Sequence, residues 1–216
     1  MTNAAIRTLT PLWRGHVNAL GCFDAALTQD LFDRLCASYS QIYRAYHTLD
    51  HLIQVFEKLE HNADRIGDPL RLAFATWYHD IVYDPRATDN EERSAEAARM
   101  DLKSMHADAV FIDRVTRLIL ATKSHAKGGV DNDDDLFLDC DYSILGSEPE
   151  AYKIYAGQAR REYAHLTNAE WQRGRTAFLT HAAAQPRTFR TIAFENLYGT
   201  KARTNMMVEL ASLAHP

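Results

Sequence analysis

The chain has 216 residues, 46% hydrophobic and 25% charged, which allows a sizeable core and excludes a fibrous or globally disordered polymer. Its net charge of −5 gives no overall attraction to a phosphate backbone or an anionic bilayer, so neither a nucleic-acid polymer nor a membrane surface is an expected partner. Cys22, Cys36 and Cys140 are odd in number and lack a CxxC pair, which argues against a disulfide framework and a cysteine zinc site. With no signal-like start and no apolar run of about 18 residues, a cytoplasmic location is expected.

Helical spacing dominates and no segment alternates with a period of two, so the expected fold class is all-α. One compact single-domain bundle of roughly eight to ten helices is expected. Over 39–61, Ile42, Leu49, Leu52, Val55, Phe56 and Leu59 form one apolar stripe that also carries His47 and His51. Pro69 suits a first helical turn, and LRLAFATWYHDIVY then runs apolar nearly all round, as in a central buried helix ended by Pro85. Thr88 with Glu91 has capping-box spacing before the alanines that follow, and Asp108 is a candidate N-cap for a helix over about 108–122.

Residues 126–135, AKGGVDNDDD, read as a solvated loop. Their alternating acids do not make an EF-hand, since Leu136 stands at the glycine position and Tyr142 at the bidentate glutamate position. Ser147 with Glu150 and Thr167 with Glu170 suggest two further capping boxes. Pro186 separates a helix from one near 188–198, and Gly199 precedes the last, near 201–213. P-loop, GxGxxG and GxSxG patterns are absent from the sequence, so nucleotide-dependent phosphotransfer and serine hydrolysis have no support.

Chemistry is concentrated in three places. His47 and His51, four apart, share a face if both lie on one helix. An ionised Asp80 inside the apolar run of His79 would cost several kcal/mol unless paired or metal-bound. A metal resolves that conflict, and an ion pair with Arg44 or Arg71 is the alternative. Asp139 and Asp141 recur among apolar neighbours in FLDCDYSILG; a spacing of two sends them to different faces, with Asp141 the better ligand and Asp139 a candidate cap.

This ordered set resembles the HD superfamily of metal-dependent phosphohydrolases. YHTLDHLIQV is similar to the YHNxxHAxDV stretch of cyclic nucleotide phosphodiesterases, with Thr48 in place of their asparagine. HDIVYD resembles the HDxxED of ppGpp hydrolases, with Tyr83 in place of the glutamate. The whole chain looks like a bacterial family of uncharacterised HD phosphohydrolases, through its YH…H, HD…YD, NEERSA, DCDYSILG, RREY and ARTN segments. The resemblance implies an HD-type domain with a metal-site core over about 39–146 and C-terminal helices over 147–216 packing on it.

It implies His51, His79, Asp80 and Asp141 as metal ligands, His47 as the acid that protonates the leaving oxygen, and Asp84 as a group orienting the attacking water. His125 and Glu91 are candidates for a second metal or the substrate. Lys123, Arg160 and Arg203 are candidates for phosphate oxygens. Mixed imidazole and carboxylate ligands suit divalent Mn, Fe, Co, Ni or Zn, with Mg a candidate at a second site.

The expected activity is metal-hydroxide hydrolysis of a phosphomonoester or phosphodiester in a small, nucleotide-like substrate. A homo-oligomer is compatible with the sequence. Two alternatives stand beside this reading: an HD-like di-iron oxygenase, and a non-catalytic metal-stabilised module that binds a nucleotide.

Overall fold

The computed structural model describes residues 2–124 and 130–214, and among them the fold is all-α, with no strand. The helices are α1 (Thr2–Ala19), α2 (Ala25–Tyr39), α3 (Leu49–Glu60), α4 (Pro69–Tyr78), α5 (Asn90–Ser104), α6 (Ala109–Ala121), α7 (Asn132–Tyr142), α8 (Pro149–Glu162), α9 (Asn168–Ala184), the single turn α10 (Ile192–Phe194) and α11 (Thr200–Ala214). Among the described residues no helix is long and apolar enough to cross a membrane. The chain divides into two compact units, Met1–Phe137 and Leu138–Pro216, with the boundary inside α7.

In the first unit α4 is the hub, packing against α1, α3, α5 and α6. Pro69 sits in its first turn and Asp68 caps it by accepting from the Arg71 amide. Every residue from Arg71 to Tyr78 is buried, so beyond its first two residues this short helix has no solvent face and the all-round apolar pattern follows. Around it, Leu9, Trp13 and Val17 of α1, spaced four apart, are buried, and so are Leu52, Val55, Phe56 and Leu59 of α3. Trp13 meets Trp77 edge-on at 5.4 Å, a favoured aromatic geometry.

The helix expected over 39–61 begins only at Leu49. Residues 40–48 are irregular, and Thr48 is an extended N-cap. The corner puts Ile42 fully in solvent, so it does not belong to the α3 stripe. The solvated loop expected over 126–135 is likewise corrected where it is described: α7 starts at Asn132, and Asp133 and Asp134 are buried. Residues 126–129 lie outside the described residues.

Asp108 caps α6 as expected, accepting from the Val110 and Phe111 amides. The Thr88/Glu91 box does not form, because α5 starts at Asn90 with Asp89 at its N-cap.

His16 of α1 carries a measurable consequence. Its ring stacks on Phe56 and its Nδ1 accepts the Trp77 indole N–H at 3.0 Å, a contact only the unprotonated nitrogen can make. Burial pulls this imidazole down to about 4, whereas an unfolded histidine titrates near 6.5. Between those values the unfolded chain binds more protons, so stability is fully present above about 6.5 and is lost as pH falls towards 4. Wild type is expected to lose up to about 2 kcal/mol between pH 7 and pH 5. His16→Gln should flatten that dependence, read from urea midpoints at the two pH values.

In the second unit α11 packs against α9 and against the 3-10 turn Ser143–Gly146. Thr167 and Glu170 form the expected capping box at α9. The Ser147/Glu150 box does not form, since α8 starts at Pro149 with Glu148 at its N-cap. Gly199 directly precedes the last helix, α11, as expected. The chain stays helical from Ile192 to Ala214, through a π-helical segment at Glu195–Gly199. A Cβ at Gly199 would lie 2.6 Å from the Glu195 carboxyl, whose Oε2 takes the Thr188 and Phe189 amides. The glycine therefore makes room for the side chain that ties down residues 188–189.

A candidate metal centre at the end of α4

His79 is the C-cap of α4, and its ring Nδ1 lies 2.9 Å from the Thr76 carbonyl. A carbonyl only accepts, so Nδ1 carries the proton and Nε2 keeps its lone pair for another partner. That Nε2 stands 3.0 Å from His51 Nε2 on the first turn of α3. Both imidazoles are buried. Asp80 Oδ2 lies 3.3 Å from His79 Nε2 and 3.9 Å from the Nε2 atoms of both His51 and His47.

Three imidazoles thus turn the same nitrogen towards one carboxylate. Donors bound to one ion at about 2.0–2.2 Å stand roughly 3 to 3.5 Å apart; the His51–His79 and His79–Asp80 separations meet that range, and the His51–Asp80 separation of 3.9 Å exceeds it. The two buried histidines, together with a carboxylate, could hold a metal ion.

The turn that presents it is held by Arg44, itself buried. Its Nη1 donates to the carbonyls of His47 at 3.0 Å and Asp80 at 2.8 Å, and its Nη2 to that of Ile81 at 2.9 Å. The guanidinium lies over the rings of Tyr39 and Tyr83. Arg44 therefore grips the Asp80 backbone rather than its carboxylate, and one cation joins the segment before α3 to the end of α4. The Tyr39 hydroxyl donates to the Trp77 carbonyl and accepts the Asp80 amide, both at 3.2 Å.

On the far side, Ser94 Oγ takes the Val82 amide at 3.1 Å, and the Asn90 side chain pairs with both the amide and the carbonyl of Asp84 at 2.9 Å. Asn90 and Ser94, one turn apart on α5, thus fix the backbone that follows the His-Asp pair. This is a physical reason for the NEERSA segment. No sequence signal identified Arg44, Asn90 or Ser94 as supports.

His47 lies outside α3, yet its ring centroid is 5.8 Å from that of His51. The two converge because Thr48 turns the chain as an N-cap, not because they share a helical face. Tyr83 packs on the His47 ring at 4.4 Å, and Tyr46 lies against both His47 and His51. The His47 side chain is 26% exposed, which leaves it open to solvent while the other two rings are sealed.

Asp84 is half-buried, and its Oδ1 accepts the Arg86 amide, closing a local turn. Glu91 is half-buried in the first turn of α5. Lys123 is engaged with Glu92 and the Thr88 carbonyl. His125 lies outside the described residues.

In the second unit, Asp141 is half-buried on the last turn of α7. Asp139 is buried and accepts from the Arg190 amide and from the amide and hydroxyl of Thr191. Burial pushes its carboxyl above the usual range, against those three hydrogen bonds. It thus anchors the start of α10 rather than capping its own turn. Arg160 donates to the Tyr163 and Leu166 carbonyls beyond α8. Arg203 donates to the Gln185 and Pro186 carbonyls and pairs with Glu195. Each arginine thus closes a chain reversal.

The chain matches no protein-family model, no curated protein and no solved structure.

Proposed function

We propose that the chain is a metal-dependent phosphohydrolase that cleaves a phosphomonoester or phosphodiester bond in a small, nucleotide-like substrate, working in the cytoplasm. The observation that carries this reading is the convergence of the Nε2 atoms of His47, His51 and His79 on the Asp80 carboxylate, with His79 oriented by the Thr76 carbonyl. His51, His79 and Asp80 hold the metal, and the sequence resemblance adds Asp141 as a further ligand. A bound divalent ion there supplies Lewis acidity towards a phosphoryl oxygen and lowers the pKa of water.

The chain's own residues supply the rest. His47, half-exposed and clamped between Tyr46 and Tyr83, gives a proton to the leaving oxygen, a role suited to an imidazole near neutral pH. Arg44 fixes the His47 carbonyl and the His-Asp turn together, so acid and ligands keep one geometry. Asp84, held by Asn90, orients the attacking water.

Protein purified without a metal-affinity tag is expected to carry near-stoichiometric Mn, Fe, Co, Ni or Zn by plasma mass spectrometry. His79→Ala, Asp80→Ala and Asp141→Ala are expected to lose most of it while keeping wild-type circular dichroism. Hydrolysis of p-nitrophenyl phosphate, of its bis ester and of a nucleotide panel should follow the metal. Absence of metal from both the purified protein and protein reloaded with each ion would overturn the proposal.

A further inference from the structure

Away from the imidazole group, α1, α2 and the turn between them enclose a cavity of about 310 Å³, at the lower end of the volumes that hold small ligands. None of its lining residues belongs to the candidate metal centre. Trp13 and Phe32 line it, both buried, with rings 6.0 Å apart and 22° from parallel. Such a wall accepts a flat apolar group.

The polar groups of the lining divide sharply. Trp13 Nε1 donates to the Thr28 carbonyl, Thr10 Oγ1 to the Ile6 carbonyl, Thr28 Oγ1 to the Asp24 carbonyl, and Gln29 Nε2 to Asp33. Arg14 and Asn18, one turn apart on α1 and both exposed, line the same cavity, and among the described residues their side chains have no hydrogen-bond or ion-pair partner. The cavity thus offers an uncommitted guanidinium and an uncommitted amide on one side and an aromatic wall within.

Phe23 also lines it and is 79% exposed. The turn that displays it is tied back to α1, with the Gly21 amide on the Asn18 carbonyl and the Cys22 amide on the Val17 carbonyl, both at 3.0 Å. Gly21 adopts φ +84 there, a backbone conformation that favours a residue without a Cβ. A solvent-facing phenyl ring on this tied-down turn is apolar area that a ligand would cover.

We propose that this cavity is a second ligand site, for a small aromatic carboxylate whose ring packs against Trp13, Phe32 and Phe23 while its anionic end is taken by Arg14 and Asn18. A guanidinium forks onto a carboxylate through two parallel hydrogen bonds, which no other group of the lining can do. The site stands independently of the activity proposed above.

Phenylacetate and its neutral counterpart phenylacetamide are titrated against the full chain, following the Trp13 indole N–H by 1H–15N NMR. Phenylacetate is expected to shift that resonance saturably, and Arg14→Gln to weaken it by roughly tenfold or more, as for loss of a charge-assisted hydrogen bond. Phenylacetamide should bind wild type about as weakly as phenylacetate binds the variant. Ala25→Phe, at an exposed position of the lining, should abolish both while circular dichroism stays unchanged. No saturable shift in wild type, or equal phenylacetate binding by wild type and Arg14→Gln, overturns the site.

Discussion

His47→Gln is expected to keep the full metal content of wild type and to lose on the order of 10²–10⁴-fold in kcat, the range for removing a positioned general acid. The split follows from the geometry. His51 and His79 are sealed, with Nε2 atoms 3.0 Å apart, whereas the His47 side chain is reached by solvent. An acid that protonates the leaving oxygen matters most when that oxygen is basic. The defect should therefore be large with phenyl phosphate and much smaller with p-nitrophenyl phosphate, whose leaving group departs without a proton. Glutamine keeps the side chain polar and of similar reach but has no proton to give near neutral pH. Loss of metal alongside activity would make His47 a ligand, and an equal defect with both esters would remove it from the proton transfer.

Pattern alone carried the fold class and singled out the residues of the candidate centre, because both rest on local signals. Pro69 and Asp108 announce helix starts, and the charged residue inside an apolar run marks Asp80 as a group that must be explained. The geometry behind the site was less legible. His47 and His51 look like a shared helical face, and they converge instead because Thr48 is extended, in an N-cap position where its hydroxyl makes no cap bond. Arg44 and Arg71 were both candidate partners of the Asp80 carboxylate. Arg44 binds backbone carbonyls, and Arg71 binds acids at positions 131–134. Periodicity has no information about a pairing that spans sixty residues, so those acids read as a solvated loop when three of them close a buried ion cluster.

That cluster sets the second large expectation, Arg71→Met, which should destabilise the chain by about 3–5 kcal/mol, as for removal of one partner from a buried ion pair. Arg71 is fully buried. Its guanidinium pairs with Asp134, with Asp131 at 3.0 Å and with Asp133 at 3.5 Å, while Asp68 lies 3.8 Å from Nε. Burial alone would pull the arginine down, and the carboxylates more than offset it, leaving its pKa above the usual value. The acids are also backbone anchors: Asp131 accepts the Asp134 amide at the start of α7, and Asp133 takes the Gly67 and Asp68 amides. Without the cation, Asp134, 2% exposed, becomes an uncompensated buried charge. Methionine nearly matches the arginine stem in volume, so the loss is electrostatic rather than a cavity. Adding Asp134→Asn should then restore part of the stability at neutral pH, because the amide fills the same space without charge. The contribution should also fade in acid. Asp131 is held below its usual range, burial being outweighed by the Asp134 amide and Arg71, so its share is present above about pH 4 and is lost as pH falls through its lowered value. Urea midpoints of wild type, Arg71→Met and the double variant at neutral pH and at pH 3 measure both effects. A single variant within about 1 kcal/mol of wild type would show that loss of Arg71 does not leave Asp134 as an uncompensated buried charge.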